Sequence, residues 1–588
     1  MSVFRTGLKT PFRLTLARSF QVGKSPRRDE ILQVPIESLD KEGNGVTTIE
    51  WTTIQKQIEP TRLVVRGALP GETVRVRVVS VFAKGGSAIH TVRLNVFGRR
   101  EYLIRPRTDN EPWRSTIEPE LLPAGHKESD HYQFFDCPHF SRRHDEEACR
   151  GCSVPHLNYT RQVIEKSKLL RESLRGAVDD HILAGLTVEP RSQITHFSDK
   201  SEIFAFSKRP LEVPVWGQLS YQNPLPGERR NKHFVPTPEC RILQKPAKAI
   251  LNRMSELVAL AHSESPGLFS VHDEILERGY LRSVIIQTAK NREGEHQALL
   301  SFVTARAPSR NFQEKLTSDI AERLMQEFPI LKGVLLVEAR PSTNRDDEFL
   351  ADRKIMHVIS GQGSIPTYIE SVDREIYIGP SSKNFDKEVS NKLISTLTEA
   401  VGSDDGRLIE LFGNDGSITG VLREISPEVK SLSEREIALM LNEGIAPDVL
   451  QGTPMVPAIE APLDPVPLVR NESNSVTSVP SEDIRETAPT VVISFPTNNN
   501  AKPDVKGVTS KDFRHWLGNV VKPRRIVLMT DKFDGLRKDI GHMRMLGYEL
   551  KSIRAIDAQP GRMDKIASIV VMDKKPQYEK VIQDPLIE

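Results

Sequence analysis

Four cysteines, Cys137, Cys149, Cys152 and Cys240, are all that 588 residues contain. So few thiols, three of them clustered, exclude a disulfide framework as the stabilising device. A charge bias is also missing: 81 Lys and Arg stand against 79 Asp and Glu, so overall charge points to no partner. No run of about 18 apolar residues occurs, so no segment reads as a transmembrane helix. Acidic residues are absent from the start of the chain until Asp29.

What fills that acid-free start is basic and amphipathic. Arg5, Lys9, Arg13, Arg18, Lys24, Arg27 and Arg28 surround Phe4, Leu8, Phe12 and Leu16, whose spacing gives one apolar helical face. Residues 1–28 therefore have the pattern of a mitochondrial transit peptide, which would send the chain to the mitochondrial matrix. A disordered basic tail is the plainer alternative.

Residues 29–100 read as a small β-barrel. Apolar and polar positions alternate through I-L-Q-V-P-I, R-L-V-V-R, T-V-R-V-R-V-V-S-V and H-T-V-R-L-N-V, with turns at E-G-N-G and A-L-P-G-E. Arg62, Arg66, Arg75, Arg77, Lys84 and Arg93 stud the segment. Small barrels with basic strands and loops often bind nucleic acid, which makes RNA a candidate partner and Arg62, Arg66, Arg75, Arg77 and Lys84 candidate contacts. Ordinary solvated charges on a barrel would look the same.

Residues 130–182 hold Cys137, the C-R-G-C pair Cys149 and Cys152, and a helix expected over 157–178; Cys240 follows in C-R-I-L. Two thiolates two residues apart can grip one metal centre, and two more complete a four-sulfur shell. Zinc and an iron–sulfur cluster both suit such a shell, and it leaves no open position for substrate. Residues 183–370 read as a central α+β domain, with helices over 246–263 and 311–328. Residues 371–450 and 491–588 alternate strand and helix: a helix at 386–402, strands R-L-I-E-L-F, V-V-I-S-F-P, R-I-V-L-M-T and I-A-S-I-V-V-M, and a helix after Phe533. Between them, 452–490 is rich in Pro, Ser and Thr without a period and reads as a flexible insertion.

This order of parts resembles one family, the S-adenosylmethionine-dependent RNA uracil-5 (5-methyluridine) methyltransferases. The stretch G-A-L-P-G-E-T-V-R-V-R-V (67–78) is similar to their TRAM barrel. C-R-G-C-S-V-P-H-L-N-Y-T-R-Q-V-I-E-K resembles their C-x-x-C-x-x-Q-x-x-x-Y-x-x-Q-x-x-x-K pattern and keeps Tyr159, Gln162 and Lys166, although Pro155 replaces a Gln. The gap of eleven residues between Cys137 and Cys149 exceeds the family's usual one. The resemblance implies an α/β multidomain chain: an OB-like TRAM barrel, a metal segment with a central domain, and a C-terminal Rossmann-like methyltransferase fold. It also implies a 4Fe–4S cluster on Cys137, Cys149, Cys152 and Cys240, with zinc as the alternative.

Measured against that family, the chemistry is missing. Uracil-5 methylation needs a thiolate that attacks C6 and a carboxylate that later removes the C5 proton. The family's nucleophile stretch corresponds to L-M-T-D-K-F-D-G-L-R-K-D (528–539), which puts Asp531 at the thiolate position. Its terminal motif corresponds to D-A-Q-P-G-R-M-D-K-I (557–566), which puts Ile566 at the base position. The cofactor motif corresponds to E-L-F-G-N-D-G (410–416), where Asn414 replaces a glycine and Gly416 persists beside Glu410. K-N-F-D-K-E-V (383–389) carries no cofactor-binding Gln, and S-F-P-T (494–497) lacks the Asp and Arg expected there. These losses lead to the expectation of a catalytically inactive RNA-binding protein without S-adenosylmethionine, acting on mitochondrial ribosomal RNA as an assembly factor or scaffold. Ribosomal proteins or other assembly factors would be its partners. The alternative is an active RNA methyltransferase of altered chemistry with Asp531 as base. A third reading is a structural protein whose contacts are mainly with other proteins.

Overall fold

The computed structural model describes residues 31–52, 58–65, 68–77, 80–83 and 90–94, then 137–140 and 149. It further describes 151–339 and 353–440 with short gaps, 488–494, and 511–575 except positions 532 and 534. The expected transit peptide and most of the 452–490 insertion lie outside these residues. Two compact units divide the chain, Met1–Glu128 and Ser129–Glu588.

The N-terminal unit is all β among its described residues. β1 (Ile31–Pro35) pairs antiparallel with β5 (Thr73–Arg77). A second sheet joins β2 (Ser38–Leu39), β3 (Gly45–Thr52), β4 (Ile58–Val65), β7 (His90–Leu94) and β6 (Ser80–Ala83) in that order. Both glycine turns form where expected, with Gly43 and Gly71 at φ +80° and +90°, a region that a side chain disfavours. Alternation buries Val34, Ile36, Leu63, Val65 and Val74 in a small core.

In the second unit, α1 (Tyr159–Leu174) begins where Asn158 accepts a hydrogen bond from the Thr160 amide at 2.9 Å. It stops short of the expected Val178, because Arg175 leaves the helical region and Gly176 turns at φ +80°. α2 (Asp180–Gly185) and β8 (Val188–Glu189) follow. The central sheet then takes β9 (Lys200–Phe206), β10 (Val215–Tyr221), β11 (Lys232–Pro236), β12 (Leu281–Lys290), β13 (His296–Thr304), β14 (Leu331–Ala339) and β15 (Arg353–Gly361). Its order is β11-β10-β9-β12-β13-β14-β15. α3 (Lys245–Glu264) covers one face with Ile250, Met254, Leu257 and Val258, three- and four-residue spacings that put one apolar stripe on the sheet. α4 (Arg310–Lys315) continues through a π-turn, Leu316–Ala321, into α5 (Glu322–Glu327) and shares that core. A hairpin of β16 (Ile365–Ile369) and β17 (Arg374–Ile378) packs Ile365 and Ile378 against Ala289, Leu299 and Leu335.

The C-terminal sheet is formed by β18 (Leu408–Leu411), β19 (Val429–Leu432), β20 (Thr490–Ser494), β21 (Arg525–Thr530), β22 (Tyr548–Asp557) and β23 (Ile566–Lys574), with β8 at its edge. Its order is β19-β18-β20-β21-β23-β22-β8. The first four strands run parallel, and β23 inserts antiparallel between β21 and β22. Parallel strands need cover on both faces, and β20 is buried at every position. One face meets α1, α8 (Lys511–Trp516) and α9 (Leu536–Met545) through Leu170, Leu174, Phe513, Leu536 and Ile540. The other meets α6 (Lys387–Val401) and α7 (Ser417–Ile425) through Val389, Leu393, Leu397, Val401 and Leu422. Thus the helix of the cysteine segment packs beneath this sheet, and β8 pairs with β22. Sequence reading assigned neither contact, since an amphipathic helix does not name the sheet it covers. Replacing Leu170 or Leu174 by Ala would cost roughly 2–5 kcal/mol each, because neither has any exposed surface.

Candidate functional site

The four cysteines come from three separate stretches. Cys137 opens a tight turn in which the Phe140 amide donates to the Cys137 carbonyl at 3.2 Å, and the Cys149 amide donates to the His139 carbonyl at 2.7 Å. The Glu239 amide reaches the His139 Nε2 at 3.2 Å, which ties the Cys240 turn to the Cys137 turn. Backbone amides also face the sulfurs: Gly151 N–H donates to Cys149 Sγ at 3.4 Å, and the Ile242 and Leu243 amides donate to the Cys240 sulfur.

Burial pushes the Cys149 thiol up to about 11, and the neighbouring Cys240 and Cys137 charges add to the rise. Burial also raises Cys152, again with contributions from Cys240, Cys149 and Cys137, while Arg562 pulls it down. Cys149, Cys152 and Cys240 therefore each lie close enough to other cysteines to feel their charge. Yet among the described residues no three His, Cys, Asp or Glu side chains converge closely enough for one metal ion. A single zinc requires every sulfur at about 2.3 Å from one point. A cluster takes each thiolate on a different iron and so holds them further apart. Four thiols with backbone amides turned toward two of them suit either group in donor chemistry.

Next to the cysteines, α1 grips the loop between β22 and β23. Three of its side chains do this, one turn apart. Tyr159 faces Asp557 at the start of the loop and accepts from the Arg191 amide at 2.6 Å. Gln162 accepts from the Gly561 amide at 2.7 Å, and its own amide donates to the carbonyls of Val154 at 3.1 Å and Leu157 at 2.7 Å. Lys166 and Asp557 form an ion pair in which neither side chain has any exposed surface. The Lys166 ammonium also donates to the carbonyls of Gln559 at 2.9 Å and Lys565 at 3.3 Å, so one cation closes both ends of the loop. Burial pushes Lys166 down while Asp557 pulls it back up; burial and the Asp557 charge together raise Tyr159.

Two of the sites of expected chemistry, Asp531 and Ile566, lie at the carboxyl end of β21, where open α/β sheets bind ligands. Asp531 follows directly on β21 and is half-buried. The ladder sets Thr530 opposite Ser568 and Asp557 opposite Ile566, bringing Asp531 and Ile566 to the same end of the sheet. Ile566 itself is fully buried in the core. Glu410, on β18, is 1% exposed, and its carboxylate is engaged from three sides. Thr419 Oγ1 donates to Oε2, Ser431 Oγ donates to the same oxygen at 2.9 Å, and Ser494 Oγ donates to Oε1 at 3.0 Å. Glu410 thus ties α7, β19 and β20 together. Asn414 and Gly416 lie outside the described residues, as do Arg66 and Lys84; Arg62 is on β4, and Arg75 and Arg77 are on β5.

Sequence reading missed a second buried ionic group. Arg191 makes a fork of two 2.7 Å bonds to Asp386, donates to the Ala558 carbonyl at 3.2 Å, and lies 4.5 Å over the Phe197 ring. Asp386 also caps α6 by accepting from the Val389 amide. A helix was expected from position 386, but nothing in the sequence linked that position to Arg191, 195 positions earlier.

No protein-family model matches the chain, and no curated protein matches it. Among solved structures it is similar to a tRNA (uracil-54, C5)-methyltransferase of Pyrococcus abyssi in complex with S-adenosyl-L-homocysteine. The TM-score is 0.47 at 15% identity, over 92% of this chain and 100% of that one. A putative S-adenosylmethionine-dependent methyltransferase from Streptococcus mutans gives a TM-score of 0.27 at 9% identity, over 61% of this chain and 88% of that one. At these scores the likeness fixes neither fold nor function.

Proposed function

We propose that this chain is a methyltransferase-like RNA-binding protein of the mitochondrial matrix that no longer methylates uracil. It serves as an assembly factor or scaffold on mitochondrial ribosomal RNA, with ribosomal proteins or other assembly factors as neighbours. The observation that carries the reading is the contrast at one edge of the C-terminal sheet. The position for the nucleophile holds Asp531 and the position for the base holds Ile566, fully buried. Around them the Tyr159, Gln162, Lys166 and Asp557 clasp is complete. A carboxylate is a weak nucleophile toward an enone carbon, and an isoleucine takes no proton.

The four cysteines, in this reading, hold a 4Fe–4S cluster as a structural staple, with zinc as the alternative. Such a group would supply four-point crosslinking of Cys137, Cys149, Cys152 and Cys240. The basic strands of the N-terminal unit, with Arg62, Arg66, Arg75, Arg77 and Lys84, supply phosphate contacts.

Two assays on the purified full chain test the reading. Filter binding to mitochondrial ribosomal RNA fragments at physiological salt should exceed a non-specific RNA control; equal binding would refute RNA specificity. Calorimetry with S-adenosylmethionine should show no heat of binding, and a micromolar affinity would instead favour an active methyltransferase with Asp531 as base.

A further inference from the structure

We infer that the loop from Asp557 to Lys565 is the outer wall of the four-cysteine site, with Gly561 seated on Cys152. The group held by the cysteines and the β22–β23 end of the C-terminal sheet then form one unit. This rests on the reading of the cysteines as a metal site.

Gly561 carries the geometry. A Cβ built on it would lie 3.3 Å from Cys152 Cβ and 3.5 Å from Cys152 Sγ, and its φ is +80°. Its carbonyl accepts from the Ser153 amide at 2.7 Å and the Val154 amide at 2.9 Å. Its amide donates to Gln162 at 2.7 Å. The Ser153 hydroxyl closes the same contact by donating to the Gly561 carbonyl at 3.3 Å and accepting from the Met563 amide at 3.4 Å. Arg562 is oriented by a two-pronged bond to Asp564, at 2.9 and 2.8 Å. The residue after Cys152 is thus hydrogen-bonded to a glycine 408 positions later. The left-handed backbone disfavours a side chain there, and a Cβ would press on Cys152 Cβ closely enough that the cysteine turn would have to give by a few tenths of an ångström.

The consequence is reciprocal. Metal binding at the cysteines steadies the loop, and loop damage weakens metal binding, because each stabilises the same contacts. Gly547 provides the control. It has a similar backbone, φ +87°, but its added Cβ would meet only Lys574 Nζ at 3.9 Å.

The test uses the full chain with Gly561→Ala and Gly547→Ala side by side. Iron and zinc per protein should fall by half or more in Gly561→Ala and remain unchanged in Gly547→Ala; equal contents in the two would overturn the inference. Hydrogen exchange gives the metal-independent arm. In chelator-treated protein the Ser153 and Val154 amides should exchange at least tenfold faster in Gly561→Ala than in Gly547→Ala, and equal rates would likewise overturn it. A wild-type protein holding neither iron nor zinc would defeat the reading of the cysteines, while the exchange arm would still decide whether the loop seats on Cys152.

Discussion

Replacing Lys166 by Met removes one charge from a site with no solvent. Met keeps the length and apolar stem of Lys, so the packing of α1 is preserved and the change is electrostatic. Asp557 would be left fully buried without its cation, with the Gln559 amide 3.1 Å away and the Tyr159 hydroxyl still facing it. The Gln559 and Lys565 carbonyls would lose their donor. Breaking a buried pair from one side costs about 3–5 kcal/mol, far above an exposed ion pair. Since about 1.4 kcal/mol is a factor of ten, amide protection in the 557–565 loop should fall by roughly a hundredfold to a thousandfold or more. Hydrogen exchange with mass readout suits the question better than a global melt, because a chain of several units does not unfold in one step. Lys166→Met with Asp557→Leu should recover much of the loss, since it leaves no unpaired charge. A fall of less than about fivefold in the single variant, or strict additivity in the double, would refute the claim that this pair closes the loop.

Glu410→Leu leaves three hydroxyls without their shared acceptor and should destabilise the C-terminal sheet by about 3 kcal/mol in urea unfolding. Asp531→Cys alone should yield no methylated uracil in a tritium-transfer assay, because Ile566 offers no base. Adding Ile566→Glu should lower stability by at least about 3 kcal/mol, for it buries an unpaired carboxylate. Asp199 gives the pH dependence. Burial pushes its carboxyl up to about 7, above an ordinary carboxylate, so its stabilising contribution is complete below about pH 4 and is lost as pH rises through 7. The loss is at most about 4 kcal/mol. Urea midpoints of wild type relative to Asp199→Asn should therefore drop between pH 5 and 8, and parallel curves would contradict it.

The elements were legible wherever one periodicity ran unbroken. α3, expected over 246–263, spans Lys245–Glu264, because Ile250, Met254, Leu257 and Val258 repeat at helical spacing. β20 and β21 were readable as apolar runs of strand length. The sequence did not show α7, or that β8 would join a sheet built more than two hundred residues later. Within the site, Tyr159, Gln162 and Lys166 stood out only as matches to a pattern. Their common task, holding the 557–565 loop, depends on the fold, since the loop lies about four hundred positions away. Glu410 read as a damaged cofactor position. Its three hydroxyl partners, Thr419, Ser431 and Ser494, come from separate elements that no local pattern connects.

The most direct test of the central claim is to crosslink the tagged full-length protein to RNA in mitochondria and sequence what is bound. The account predicts reads concentrated in one region of ribosomal RNA, with no 5-methyluridine there that depends on this protein. Reads concentrated in transfer RNA, or a 5-methyluridine lost when the protein is removed, would contradict it.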